Sequence, residues 1–431
     1  MVTFLFMKKK LIIWGVVLFL LIAGGFTTFT YFKNNNEHFQ TFLDFPDSVR
    51  QIAIVTEVKR PLALVFPALM NDQEINTRHL KSSIRMGAQW IVNMQEPSGR
   101  FNYWYNPDQH TFSNQWDDNF LRQAGTAYAL AVAGDLFNDT AYIQSATKSV
   151  AYLNSFLGYL EDDKAYYLYR KKAKLGGIAL PMLAMMALKE ATNDSTWDDL
   201  LLKLGNMIIY QQESYGTGQF KSTYTYLGKK NYEEKSGWES KIYPGEALLA
   251  LAELYYHFED KRYLKAFDRA VDFYNGTSFW RSKSFWPWTA SALARMSVYA
   301  ENEKFANLAY DIADRTTYWQ NADEEIYHFG GFFGVSSVFS STFLEGIGDV
   351  YQMAVTRGDS SYIIDLENRL FAGYHFLHQL QIDSTDLKEN NYKEIALGGF
   401  KTLHSDPQIR IDNTQHAISS MTKYFIRIKE K

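Results

Sequence analysis

The chain contains no cysteine among its 431 residues, which excludes structural disulfides, thiolate zinc sites, thiol nucleophiles and a lipid anchor attached through cysteine. Nor is there an excess of positive charge. Its 44 basic residues stand against 48 acidic ones, for a formal charge of -4, so no broad basic face exists to neutralise phosphates and nucleic acid is not an expected partner. No metal or other cofactor is implied by any motif. What is abundant is aromatic: 29 Tyr, 31 Phe and 10 Trp exceed what a helical core requires. Such rings either fill the core or stack on the faces of sugars.

Lys8, Lys9 and Lys10 precede a run from Leu11 to about Phe32 without a charged side chain. It is long enough to cross a hydrocarbon core of ~30 Å. Three lysines before it against Lys33 after it predict a cytoplasmic N-terminus and an extracytoplasmic body, and so a single-pass membrane protein. A cleaved secretory signal ending near Ala23-Gly24-Gly25 is the competing reading. The uncharged stretch continues through Phe26, Tyr31 and Phe32, which favours retention. Residues 1–33 are thus read as cytoplasmic tip and anchor, and 34–76 as a linker with possible short strands in the β-branched patch Gln51 to Phe66.

From residue 77 to 431 two kinds of helical segment alternate, and this repeat predicts the architecture. One kind is amphipathic: His79–Met94, Thr140–Tyr159, Trp197–Glu213, Lys261–Tyr274, Lys304–Trp319 and Tyr362–Gln381. The other is rich in Ala, Gly, Leu and Ser: Asn119–Phe137, Gly176–Ala191, Gly245–Phe258, Thr289–Ala300, Ser336–Ala354 and Asn413–Ile428. A helix with one charged face lies outside, and one that is apolar or small all round is covered on both sides. The expected fold is therefore all-α, an (α/α)6 toroid of six helical hairpins, preceded by the transmembrane helix. Linkers entering the inner helices carry Gly and aromatic residues: Gly99-Arg-Phe101-Asn-Tyr103-Trp104-Tyr105, Gly218-Gln-Phe220, Gly331-Phe332-Phe333 and Gly399-Phe400. In a closed ring they emerge at one end and line a common cleft.

Several residues at that end carry candidate chemistry. Asp117 and Asp118 stand just before an inner helix, where one acid serves as a cap and the other is left for a charged cluster with Arg122. Glu246 follows Tyr243-Pro244-Gly245 in a first helical turn; it suits the helix dipole or serves the site. Trp286 and Trp288 flank Pro287 at the expected rim, positions for core filling or sugar stacking. Glu345 sits a few turns into a Ser-rich inner helix, after a linker with Glu324, Glu325, Tyr327 and His328. Asp412 reads as an N-cap with His416 one turn later, either a capped core histidine or a proton-transfer group oriented by Asp412, with Arg410 binding the ligand.

These elements resemble the six-hairpin glycosidase-like superfamily and, in layout, the helical C-terminal domain of glucuronyl C5-epimerases. The stretches that carry the likeness are Gly99 to Tyr105, Asp117 to Gly125, Tyr243 to Glu246 and Gly398 to His416. The resemblance implies action on an oligosaccharide or polysaccharide by hydrolysis, elimination or epimerisation. Asp117, Asp118, Glu246, Glu345 and His416 are the catalytic candidates. Tyr103, Tyr105, Arg122, Tyr243, Trp286, Trp288, His328, Arg410 and Asp412 are the substrate-binding ones. A hydrolase needs two carboxyl groups about 5–10 Å apart across a cleft, whereas an epimerase or lyase relies on His416, a tyrosine and Arg410 beside a uronate. A non-catalytic glycan-binding or polysaccharide-assembly protein is the alternative, and it predicts that no such groups converge.

Overall fold

The computed structural model describes residues 76–214, 216–226, 229–230, 239–322, 328–332 and 336–429. The expected membrane helix, the patch Gln51 to Phe66, and Glu324, Glu325, Tyr327 and Phe333 lie outside the described residues. Thirteen helices are numbered here in chain order. The outer ones are α1 (Thr77–Asn93), α3 (Thr140–Asn154), α5 (Asp198–Glu213), α7 (Lys261–Asn275), α9 (Glu303–Thr317) and α11 (Ser360–His378). The inner ones are α2 (Phe120–Phe137), α4 (Leu175–Thr192), α6 (Tyr243–Phe258), α8 (Trp286–Tyr299), α10 (Ser337–Arg357) and α13 (Ile411–Phe425), and α12 (Ser384–Glu389) is a short extra turn. Each inner helix packs on the next and α13 packs back on α2, so the inner ring is closed. The composition explains the placement: α4 is apolar enough to cross a membrane, yet 72% of it is buried in the ring, its surface taken up by neighbouring helices.

Turns from inner to outer helices are tight. Asn138, Glu259 and Glu301 adopt left-handed conformations, and the next residue, Asp139, Asp260 or Asn302, caps the outer helix by accepting backbone N–H bonds. One residue reverses the chain and its neighbour satisfies the new helix's free donors.

At the opposite end the linkers are long and share a device. Gln95, Gln212, Gln320 and Gln381, each near the end of an outer helix, donate through Nε2 to two carbonyls. One belongs to a downstream glycine, Gly99, Gly218, Gly330 or Gly398. The other belongs to an adjacent outer helix, at Ser145, Ala266, Arg369 or Ser83. All four glycines have positive φ. A Cβ on any of them would lie within 2.4 Å of a backbone oxygen of the neighbouring helix, so only glycine permits both the turn and the approach. Two residues later stands Phe101, Phe220, Phe332 or Phe400, each buried.

The first and last linkers pair with each other. Trp104–Asn106 hydrogen-bonds to Thr111–Phe112 on one side and to Asp406–Arg410 on the other, which in turn pairs with Lys401–Leu403. Trp104 lies opposite Arg410, and the amide of Ile411 donates to the carbonyl of Tyr103 at 3.0 Å. This sheet joins the first hairpin to the sixth and sets Tyr103 beside Arg410.

Candidate functional site

The sheet and the first turns of α2 and α13 gather one charged cluster. Arg122 Nε donates to Asp412 Oδ2 at 2.6 Å. Arg410 donates through Nε to Asp412 Oδ1 at 2.8 Å and through Nη2 to Oδ2. The Tyr103 ring lies 5.3 Å from the Arg122 guanidinium and 5.6 Å from that of Arg410. Burial opposes the charge on Asp412, but the two guanidinium groups outweigh it and hold the carboxyl well below the usual range. Burial raises the Tyr103 phenol, with Asp412 adding to the effect, so it is protonated at neutral pH. Asp412 is 3% exposed, whereas Arg122 and Arg410 are 28% and 17% exposed. Two partly exposed cations on one covered anion leave a net positive charge, suited to a carboxylate.

One turn deeper, His416 Nδ1 lies 2.8 Å from Glu345 Oε2, and the edge of the imidazole meets Trp288 at 6.2 Å. Glu345 is itself buried, on a stretch of α10 that also buries Ser340 and Ser341. With Nδ1 donating to that carboxylate, Nε2 carries the lone pair and is the basic nitrogen. Gln415, next to the histidine, is anchored by Thr126, whose Oγ1 donates to its Oε1 at 2.5 Å, and this leaves its amide nitrogen 3.4 Å from His416 Nε2, a long donor contact to that lone pair. The missing side chain of Gly125 makes room for the amide.

Beneath this, α6, α8, α10 and α13 close the bore with buried charges. Arg295 bridges Glu253 at 2.9 Å and Asp349 at 3.1 Å, and Lys423 pairs with Asp349. Asp349 follows Glu345 by one turn and Lys423 follows His416 by two. Two cations against two carboxylates balance, which makes this a floor to the cleft.

The other expected site residues are held by different partners. Helix α2 is capped by Asn119, which accepts from Leu121 N, so neither Asp117 nor Asp118 is its cap. Asp117 accepts from the amide of Asn114. Asp118 is clamped, accepting from Tyr169 at 2.7 Å and from Gln123 at 2.7 Å. Glu246 is fully buried in a niche against Gly176 and Tyr243. Burial pushes its carboxyl up to about 8 against the pull of Lys174, and its Oε2 meets no donor among the described residues. Tyr105 is buried on Phe112; Trp286 is buried, with its indole N–H donated to the carbonyl of Trp280. His328 is half-buried and lies close enough to His404 to lower its basicity, after burial.

Asp412 differs from expectation in two respects. It sits inside the first turn of α13, which begins after Arg410, so it is not the N-cap. Its oxygens go to two arginines, and Glu345 is the group that holds His416. The reason is geometric: Arg122 arrives from α2 at the other side of the ring seam, a contact 290 residues away in sequence. Thr126, Gln123 and the floor residues were not anticipated either. The lone charges Arg295, Asp349 and Lys423 in otherwise small or apolar inner segments were the available signal for the floor.

Comparisons with known proteins bear on the fold. A family model described as the D-glucuronyl C5-epimerase C-terminus matches residues 212–279, a stretch that contains Tyr243 and Glu246 and none of the arginine or histidine cluster. No curated protein matches the chain in sequence. Among solved structures, a glycoside hydrolase family 76 α-mannanase of Bacteroides thetaiotaomicron superposes with TM-score 0.57 at 12% identity, covering 82% of this chain and 96% of that one. Cellobiose 2-epimerase of Bacillus thermoamylovorans gives 0.58 at 11%, covering 80% and 98%. An unsaturated glucuronyl hydrolase of Streptococcus agalactiae gives 0.59 at 10%, covering 84% and 96%. The fold is an (α/α)6 toroid.

Proposed function

We propose that the chain is a carbohydrate-active enzyme whose substrate is an acidic glycan, and that its reaction begins with removal of the proton next to a uronate carboxylate. The observation that carries this is the juxtaposition of the Arg122–Asp412–Arg410 cluster with the His416–Glu345 pair. A uronate carboxylate seated on the two guanidinium groups loses negative charge, which acidifies the neighbouring C5–H. His416 Nε2 takes that proton, Glu345 stabilises the resulting imidazolium, and the arginines hold the charge that builds on the carboxylate. Return of a proton to the opposite face, for which the protonated Tyr103 phenol is placed between the arginines, gives the epimer. Loss of the 4-linked oxygen instead gives an unsaturated uronate. The names of the matched family model and of the glucuronyl hydrolase neighbour agree with a uronate as substrate.

One observation favours hydrolysis as a second reading: Glu246, titrating near 8, is protonated at neutral pH as a general acid must be. A panel of polyuronates and neutral glycans, followed by proton NMR in D2O, by reducing-end assay and by absorbance of unsaturated uronate, separates the outcomes. Deuterium incorporation or unsaturation lost in His416→Ala supports proton abstraction. Reducing ends lost in Glu246→Gln support hydrolysis. Glycan binding without any product supports the non-catalytic alternative.

The run Leu11 to Phe32 supports a membrane anchor, with the toroid extracytoplasmic. Protease accessibility in intact cells against lysed ones tests this: a body cleaved only after lysis contradicts it.

A further inference from the structure

The apolar side chains left in solvent are concentrated at one end of the molecule. Among the described residues the exposed large ones are Phe112, Trp116, Tyr159, Leu168, Tyr210, Tyr318, Trp319 and Ile364. All but Ile364 lie in linkers or last outer turns at the end where the inner helices begin. Trp116 is the most exposed, at 76%, and it is also the one nearest in the chain to Arg122. Its neighbour Asp117 is close enough to act on the Tyr103 phenol, so this linker runs past the arginine cluster.

Its backbone, in contrast, is fixed. Arg170, from the linker that follows α3, donates to the carbonyls of Trp116 at 3.0 Å and Gln115 at 2.6 Å. Arg170 and the next residue, Lys171, both have positive φ, so the hairpin tip is shaped to reach across. Tyr169, beside it, donates to Asp118. Two linkers are thus tied together under an indole that is itself open to solvent. A large ring on a held backbone loses little freedom when it is covered, which is how aromatic anchors of binding sites are built. The surroundings set the chemistry of what covers it. Arg170 and Lys171 are exposed, Lys172 and Lys174 follow, and Asp117 is turned back onto the amide of Asn114.

Resting on the reading of the arginine cluster as a uronate site, we propose that Trp116, supported by Arg170, forms an outer subsite. It stacks on a pyranose ring of an acidic glycan a short distance along the chain from the unit held by Arg122 and Arg410. The substrate is then a polymer or long oligosaccharide, not a free sugar. Trp116 is a binding residue and touches no reacting bond.

The test is calorimetric titration of the full-length protein in detergent with alginate, polygalacturonate and glucuronate-containing oligosaccharides, from disaccharide to decasaccharide. Affinity rises with length in the wild type. Trp116→Ala binds the disaccharide as the wild type does and loses about threefold to tenfold on the longer chains, and Trp116→Phe keeps most of the gain. Equal length dependence in Trp116→Ala and wild type, with Arg122→Ala no longer binding, overturns the subsite and leaves the uronate site standing. Failure of the wild type to bind any of the acidic oligosaccharides overturns both. A second measurement needs no variant: the decasaccharide slows oxidation of Trp116 by N-bromosuccinimide, read by peptide mass spectrometry, and an unchanged rate overturns the subsite.

Discussion

Glu246 makes the stability of this protein depend on pH in a direction opposite to that of most carboxylates. In the unfolded chain its carboxyl titrates near 4.5, and in the folded chain burial moves it to about 8. Between those values the unfolded form has lost the proton that the folded form keeps. Stability is therefore highest below the unfolded value and falls as pH rises, by about 1.4 kcal/mol per unit and up to about 5 kcal/mol in all. Glu246→Gln keeps the shape and removes the titration. The variant and wild type should be nearly equal at pH 5, and the variant should be the more stable at pH 8.5. For a ring of this size each kcal/mol moves the melting temperature by roughly 1–2 °C, so calorimetric scans of both proteins across this range should diverge by about 5–10 °C. Parallel curves across pH would refute the argument, because they would mean that the carboxyl is already ionised in the fold.

Other consequences follow from the linkers and the floor. Gly218→Ala forces a Cβ against the Arg269 carbonyl at positive φ and should cost roughly 2–4 kcal/mol in urea unfolding. Gly216→Ala, where nothing lies within 4 Å, should cost about 1 kcal/mol. Gln212→Ala leaves the carbonyls of Gly218 and Ala266 without their donor and should cost roughly 2–4 kcal/mol by the same assay. Lys423→Met strips Asp349 of one of its two cations and should destabilise by about 3–5 kcal/mol. The pair Lys423→Met with Asp349→Leu should recover much of that loss, since Arg295 keeps Glu253; a double variant as weak as the sum of the singles contradicts the pairing.

The ring was legible because inner and outer helices differ in composition over whole segments. His79–Met94 was expected where α1 runs Thr77–Asn93, and Thr140–Tyr159 where α3 ends at Asn154, its tail becoming the strand Leu157–Tyr159. The glycines before buried phenylalanines were visible as motifs, but their glutamine partners were not. The separation grows from Gln95–Gly99 to Gln381–Gly398, and a variable spacing hides a repeat that is obvious in space. Arg122, Arg410 and His416 stood out as polar groups at helix starts, and Tyr103 as one of the aromatic residues of the first linker. What joins them is long-range: Glu345 meets His416 across 71 residues, and the choice of Glu345 over Asp412 depends on the facing of two inner helices. The capping role given to Asp117 or Asp118 went to Asn119 one residue on, a difference that only the backbone path decides.

The most direct measurement is deuterium incorporation at C5 of a polyuronate incubated with the protein in D2O, compared between wild type, His416→Gln and Arg122→Ala. The proposed chemistry predicts exchange in the wild type that both substitutions abolish. Exchange that survives in His416→Gln, or a wild type that opens glycosidic bonds with no deuterium entering, would contradict it.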